Sequence, residues 1–201
     1  LLVDRRIDNI NQVWVSDLFY LELPDEHLYV VLITDVYSRR VIGTAGGNHM
    51  RAELFVTALN RALTLRGVAD YGGGLIHHSD RGSQYASHAY TEQLIHYGIQ
   101  ISMCRTVLEN AHAERVNGTI KNDYLRHFTG VRSTNIDRYA LLAAERYNVR
   151  FHDSLGMPPL DYEAWLTTVA PEKRPGLQVY TEANTQKMNN HGQLNLFELS
   201  D

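Results

Sequence analysis

The chain has 201 residues, 44% hydrophobic and 21% charged, a composition that supports one well-buried core and excludes a disordered polymer. Its net charge of −4 argues against an indiscriminate nucleic-acid coat, and no apolar run approaches the ~20 residues that a membrane span needs. Cys104 is the only cysteine, which leaves no disulfide within the chain and fits a reducing cytosol.

The chain starts at Leu1 with neither a methionine nor a signal-like stretch, so it reads as a cytoplasmic fragment whose upstream domains lie elsewhere. Residues 1–12 are polar and predict a frayed lead-in. Val13 to Leu21 alternates, with Val13, Val15, Asp17, Phe19 and Leu21 on one face, which predicts a strand and sets Asp17 among apolar neighbours. An acid there is costly unless it is paired or binds a metal. Pro24-Asp25-Glu26 turns the chain into Leu28–Val36, apolar on both faces and so a central strand; Arg40–Ala45 makes a third strand. Short links between the three imply an antiparallel meander. From Met50 to Arg66 the apolar positions recur at three and four residues, an amphipathic helix stopped by Gly67. Leu75–His78 is a fourth strand, reached through a helix and therefore parallel to the first.

The polar run His77-His78-Ser79-Asp80-Arg81-Gly82-Ser83-Gln84-Tyr85 follows that strand and leads to a helix over Ser87–Tyr97. Ile99–Met103 is a fifth strand. Helices are predicted over Asn110 to about Phe128, Ile136 to about Phe151 and, after Pro158-Pro159, Leu160–Val169. The order predicts an α/β fold, a five-stranded mixed sheet with helices on both faces. After Pro171 the composition turns polar, so the expected organisation is a lead-in (1–12), a core (13–170) and a mobile or partner-binding tail (171–201).

Charge is unevenly spread. Residues 105–150 hold eight Arg and Lys against five acids, and only Lys121, Lys173 and Lys187 of the chain's basic residues are lysines. Arginine forks suit phosphate oxygens, although a solvated helical face would read the same way. Asp80 stands just beyond a strand end, where open α/β sheets do chemistry, and by itself it could equally cap the next helix. With the first and fourth strands adjacent, Asp17 and Asp80 face each other, and two carboxylates so close repel unless a cation lies between them. Hard oxygen donors favour Mg²⁺ or Mn²⁺ over Zn²⁺. On the helix from Asn110, the residues Ala113, Val116, Ile120 and Tyr124 form the packed stripe, while Glu114, Asn117, Gly118 and Lys121 share another face. An acid to complete a metal site, with a lysine two turns along, suits a phosphodiester.

The blocks VWVSDLFYL, LYVVLITDVYSRRVIG, HHSDRGSQYAS, GIQISMCR, ENAHAERVNGTIKNDYL and RYNVRFHDSLGMPP, spanning about residues 13–160, resemble the integrase-core transposases of bacterial insertion sequences. The resemblance implies a ribonuclease-H-like fold, with the last two strands parallel to the first. It implies that Asp17, Asp80 and Glu114 match the family's Asp-Asp-Glu set of catalytic metal ligands, and Lys121 a DNA-contacting lysine. Thirty-three residues separate Asp80 from Glu114, slightly fewer than the family's usual spacing; the shortfall falls at Thr106-Val107-Leu108, in a loop, so the helix register is retained. The implied activity is Mg²⁺-dependent cleavage and strand transfer at insertion-sequence ends, with Mn²⁺ as a substitute. DNA would be the substrate, the protein at least a homodimer, and its place the bacterial nucleoid. The alternatives are a non-catalytic regulatory fragment and a ribonuclease-H-like nuclease.

Further DNA contacts are expected from Arg81, Asn110, Arg115 and Arg150, and from Ser83 and Gln84, which could equally just form the turn. Arg150 could instead complement a helix C-terminus, and Asp35 reads as a turn or cap residue. His77 and His78 point to opposite faces of a strand and so are poorly placed to share a zinc ion. In the tail, Gln193-Leu194-Asn195-Leu196-Phe197 resembles the short peptide by which bacterial proteins dock on the replication sliding clamp, through anchors at Gln193, Leu194, Leu196 and Phe197.

Overall fold

The computed structural model describes residue 2 and residues 5–103 and 111–179. Its centre is a five-stranded sheet of β2 (Val13–Glu22), β3 (His27–Asp35), β4 (Val41–Gly47), β5 (Ile76–Ser79) and β6 (Gln100–Met103), ordered β4-β3-β2-β5-β6. The first three strands are antiparallel, and β5 and β6 run parallel to β2, as expected for this topology.

Helices cover both faces because β2 and β3 are apolar on both. Trp14, Val31 and Ile33 pack under α1 (Ala52–Arg66) and α2 (His88–His96). Phe19, Val30 and Leu32 pack under α3 (Ala111–Thr119) and α4 (Ile136–Asn148). The edge strand accepts close helices through glycines: a Cβ on Gly43 would collide with the Ala58 carbonyl of α1. No helix among the described residues is long and apolar enough to cross a membrane.

Two features depart from expectation. Part of the polar lead-in forms a strand, β1 (Arg5–Ile7), which pairs antiparallel with β7 (Leu177–Val179) from the start of the tail. With α5 (Pro159–Leu166) this ribbon covers a third apolar cluster containing Val13, Val15, Ile76, Tyr162 and Val179. The helix expected over 110–128 also breaks: after Thr119 the chain makes a π-turn over Ile120–Tyr124 and a 3₁₀ turn over Leu125–His127. Gly118 lowers helix propensity there, and the Thr119 hydroxyl donates to the Arg115 carbonyl at 3.2 Å, a local bond that competes with regular helix. The wider turn still buries Ile120 and Leu125.

Candidate active site

Strand register sets the site. β2 and β5 pair Val15 with His78, so two residues further along each strand Asp17 stands level with Asp80. Neighbouring strands lie about 4.8 Å apart. Helix α3 then packs on β2 through its apolar stripe, burying Ala113 and Val116, with Ile120 buried just beyond its end, and leaves Glu114 exposed.

The surroundings of the three acids differ. Asp17 is half-buried; its Oδ1 accepts the Leu18 N–H at 2.9 Å and its Oδ2 accepts the Asn117 side-chain amide at 2.8 Å. Burial pushes its carboxyl up to about 6, against the Leu18 and Asn117 hydrogen bonds, and the charges of Asp80 and Glu114 push it further the same way. Asp80 is exposed, and its Oδ1 accepts the Gly82 N–H at 2.8 Å, closing a tight turn. That turn is held from beneath. Tyr85 is buried, its hydroxyl shares a hydrogen bond with Ser16 Oγ at 2.9 Å, and its ring packs edge-on against Phe55 and Tyr90. The loop bearing Asp80 is thereby tied to the strand bearing Asp17.

In its chemistry the donor set suits a divalent cation: all three side chains are hard carboxylates, Asp17 sits in a partly dry place, and the charges of Asp80 and Glu114 raise the cost of charging it. Among the described residues no three acidic, histidine or cysteine side chains converge to the spacing of a metal centre. The charges of Asp80 and Glu114 both reach Asp17, yet the three acids stand apart, as like charges do.

Asn117 received no role from the sequence beyond sharing the Glu114 face, yet it is 6% exposed and directly bonded to Asp17. Its signal was there: it lies three residues after Glu114, one helical turn along. Lys121, in the π-turn, lies with Nζ 4.8 Å from the centre of the Tyr20 ring, beside a groove of about 660 Å³ shared with Arg126 and Arg132. Arg81 is exposed at the Asp80 turn; Ser83 donates to Gln84 at 3.5 Å, and Gln84 donates to the Met50 carbonyl at 3.0 Å, so both serve the turn. Arg150 pairs with Asp123 at 2.6 Å on the surface. Arg115 is exposed on α3. Asn110, the Thr106–Leu108 shortfall and the clamp-like stretch at 193–197 lie outside the described residues.

The two histidines have ordinary core partners. His77 Nε2 meets the Tyr90 hydroxyl at 2.9 Å and His78 Nδ1 meets Ser102 Oγ at 3.0 Å. Burial holds His77 down at about 3, hence neutral. Asp35 is more than the turn residue expected. It does accept the Tyr37 and Ser38 N–H groups, at 3.0 and 3.3 Å, but it is fully buried and also pairs with Arg66 at 3.1 Å. Arg66 in turn binds Glu163 of α5 at 2.7 Å.

Residues 8–107 match the integrase core domain. The chain belongs to the integrase-core family. The chain is 36% identical over 121 residues to a putative transposase for insertion sequence element IS986/IS6110 of Mycobacterium tuberculosis, covering 58% of this chain and 43% of that protein. It is 32% identical over 157 residues to the transposase for IS629 of Shigella sonnei, covering 76% and 52%. The chain thus spans about half the length, or less, of these two curated relatives. In structure it resembles the HTLV-2 integrase catalytic core domain in complex with magnesium, at TM-score 0.59 and 19% identity over 76% of this chain and 96% of that one. A simian T-cell lymphotropic virus intasome chain matches at TM-score 0.64 and 16% identity over 79% and 56%. These likenesses show a ribonuclease-H-like fold.

Proposed function

We propose that this chain is the catalytic core of a DNA transposase, which cleaves and joins phosphodiester bonds at the ends of an insertion sequence with the help of divalent metal ions. The observation that carries the reading is the register that sets Asp17 level with Asp80 on neighbouring parallel strands, with the Asp17 carboxyl raised to about 6 by burial first and further by the charges of Asp80 and Glu114. Relatives named as insertion-sequence transposases support the DNA substrate. The HTLV-2 integrase catalytic core domain, whose structure is a complex with magnesium, supports Mg²⁺ as the ion, with Mn²⁺ as a substitute.

In this mechanism Asp17, Asp80 and Glu114 would hold the metal, which when bound would supply activation of an attacking water or 3′-hydroxyl and stabilisation of the leaving oxygen in an in-line displacement. Asn117 fixes the direction of the Asp17 carboxylate through its amide bond to Oδ2. The Gly82 N–H fixes Asp80, and the buried Tyr85 anchors the whole turn. Lys121 and the arginines that follow it meet phosphates flanking the reacting one. The active assembly is a homodimer or larger, since two DNA ends must be joined, and the 193–197 stretch docks on the sliding clamp at the bacterial nucleoid.

Joining of labelled insertion-sequence end DNA tests the reading. The wild-type chain joins strands in Mg²⁺ and not in Ca²⁺, and Asp17→Ala or Asp80→Ala abolishes joining without unfolding the protein. Full joining by either variant sinks the assignment. Cleavage without joining would mark a nuclease, and neither reaction a regulatory fragment.

A further inference from the structure

Beneath the two aspartates, on the side of the sheet covered by α1 and α2, the core holds polar atoms that packing alone does not require. Ser16 on β2, His77 on β5, Tyr85 in the turn and Tyr90 on α2 are all buried, the tyrosines among Trp14, Phe55 and Leu94. A hydroxyl or imidazole in such a place costs free energy unless each polar atom finds a partner. Here each one does. Ser16 Oγ meets the Tyr85 hydroxyl at 2.9 Å and also bonds Tyr90, whose hydroxyl meets His77 Nε2 at 2.9 Å. The rings interlock as well: Tyr85 against Tyr90 and Tyr90 against His77 are edge-on, with centroids 5.4 and 5.5 Å apart.

The chain of bonds has a direction. Burial keeps His77 neutral, so its ring carries one N–H. The ring's bond to its own backbone favours the protonated form, so it is a donation to a carbonyl, and it uses that N–H on Nδ1. Nε2 is left as the acceptor for the Tyr90 O–H. Tyr90, having given its only proton, accepts from Ser16, and Ser16 in turn accepts from Tyr85. The order Tyr85, Ser16, Tyr90, His77 uses every donor once, and no member can turn round without orphaning another. A buried network satisfied throughout stiffens a core more than its separate bonds suggest.

Its members flank the acids. Ser16 immediately precedes Asp17, while His77 lies three residues before Asp80 and Tyr85 five after it. Both sides of the Asp80 turn are therefore tied to the strand that carries Asp17. Burial pushes the Tyr85 phenol well up, and Tyr90, Asp17 and Asp80 push it the same way, so its hydroxyl lies within reach of both acids.

We propose that Ser16, Tyr85, Tyr90 and His77 are positioning residues, a one-way buried hydrogen-bond chain that sets the spacing of Asp17 and Asp80 for a divalent ion. The inference rests on the metal-dependent reading above, and it gives Ser16, Tyr90 and His77 a part in the site that lies on the other face of the sheet.

The test is calorimetric titration of the full chain with Mn²⁺ alone, with a melting curve for each variant. Tyr85→Phe and Tyr90→Phe each remove one oxygen and keep the ring. Each stays folded, melts about 2–4 °C lower, and binds Mn²⁺ about tenfold more weakly. The double variant also binds about tenfold more weakly, because a chain already cut has little further to lose. Tyr37→Phe is the control. It loses a bond of the same kind, to the Pro175 carbonyl at 2.7 Å in the third apolar cluster, and it melts lower with its Mn²⁺ affinity unchanged. Wild-type Mn²⁺ affinity in both folded single variants overturns the positioning role, as does an equal loss in Tyr37→Phe. A loss of about a hundredfold in the double variant marks two independent ties and overturns the single chain. Should a tyrosine variant not fold, Ser16→Ala, the smallest cut, decides by the same comparison. A wild-type chain that takes up no Mn²⁺, or takes it up equally after Asp17→Asn, overturns the metal reading and the positioning role with it. Uptake lost in Asp17→Asn but kept in Tyr85→Phe and Tyr90→Phe overturns the positioning role alone.

Discussion

Two aspartates on neighbouring strands of one sheet have opposite settings. Asp17 on β2 and Asp35 at the end of β3 are both pushed up by burial first of all. At Asp35 the next influence is Arg66, which pulls the carboxyl back down, and Glu163 and Arg40 complete a buried network that ties α5 to the sheet. At Asp17 the charges that act are Asp80 and Glu114, and both push the same way as burial. A carboxylate answered by a guanidinium is architecture; on the function proposed above, one that burial and two further acids all push upward is where a cation would bind.

The contrast breaks most sharply on activity. Asp17→Asn should take strand joining below detection while melting at or above the wild-type temperature, since it relieves both repulsion and desolvation; assay and melting curve together check this. Arg66→Ala should do the reverse. It leaves Asp35 and much of Glu163 buried without their cation, so stability should fall by about 3–5 kcal/mol in denaturant titration, with joining retained in the cold. A variant of Arg66 that melts normally would erase the distinction between the two regions.

pH sharpens it. The Asp17 carboxyl is raised in the folded state, so the native protein binds its proton more tightly than the unfolded chain does. Its contribution to stability therefore falls by roughly 2–3 kcal/mol as pH rises from about 4 to about 6, where the folded carboxyl titrates, and is flat above. Urea unfolding of wild type and Asp17→Asn across that window should diverge, with the variant lacking the decline. The smallest effect is expected at Asn117. Asn117→Ala leaves the fold intact but frees Oδ2 of Asp17, and about a 10–100-fold loss of joining is expected, the usual cost of removing a bond that orients a metal ligand.

Much of this was legible in the chain. Alternation over Val13–Leu21 and the apolar run over Leu28–Val36 fix the central strands, and the helical period over 50–66 fixes the crossover that makes β5 parallel. From that topology the pairing of Asp17 with Asp80 follows, and the stripe Ala113, Val116, Ile120 turns Glu114 toward them. What could not be read depends on long-range contacts. Strands β1 and β7 are three residues each, too short to show a period, and they recognise each other across nearly the whole chain. The buried network needs α5 to bring Glu163 to Arg66 and Arg40, and no local pattern around Asp35 announces it. The π-turn after Thr119 is a compromise between a helical run and the packing of Ile120 and Leu125, visible only once both are seated.

The most direct test of the central claim is Mn²⁺ titration followed by the loss of the free-ion electron paramagnetic resonance signal, on wild type, Asp17→Asn and Arg66→Lys. The account predicts that wild type and Arg66→Lys bind the ion alike while Asp17→Asn binds at least about tenfold more weakly. Equal uptake by wild type and Asp17→Asn would contradict it.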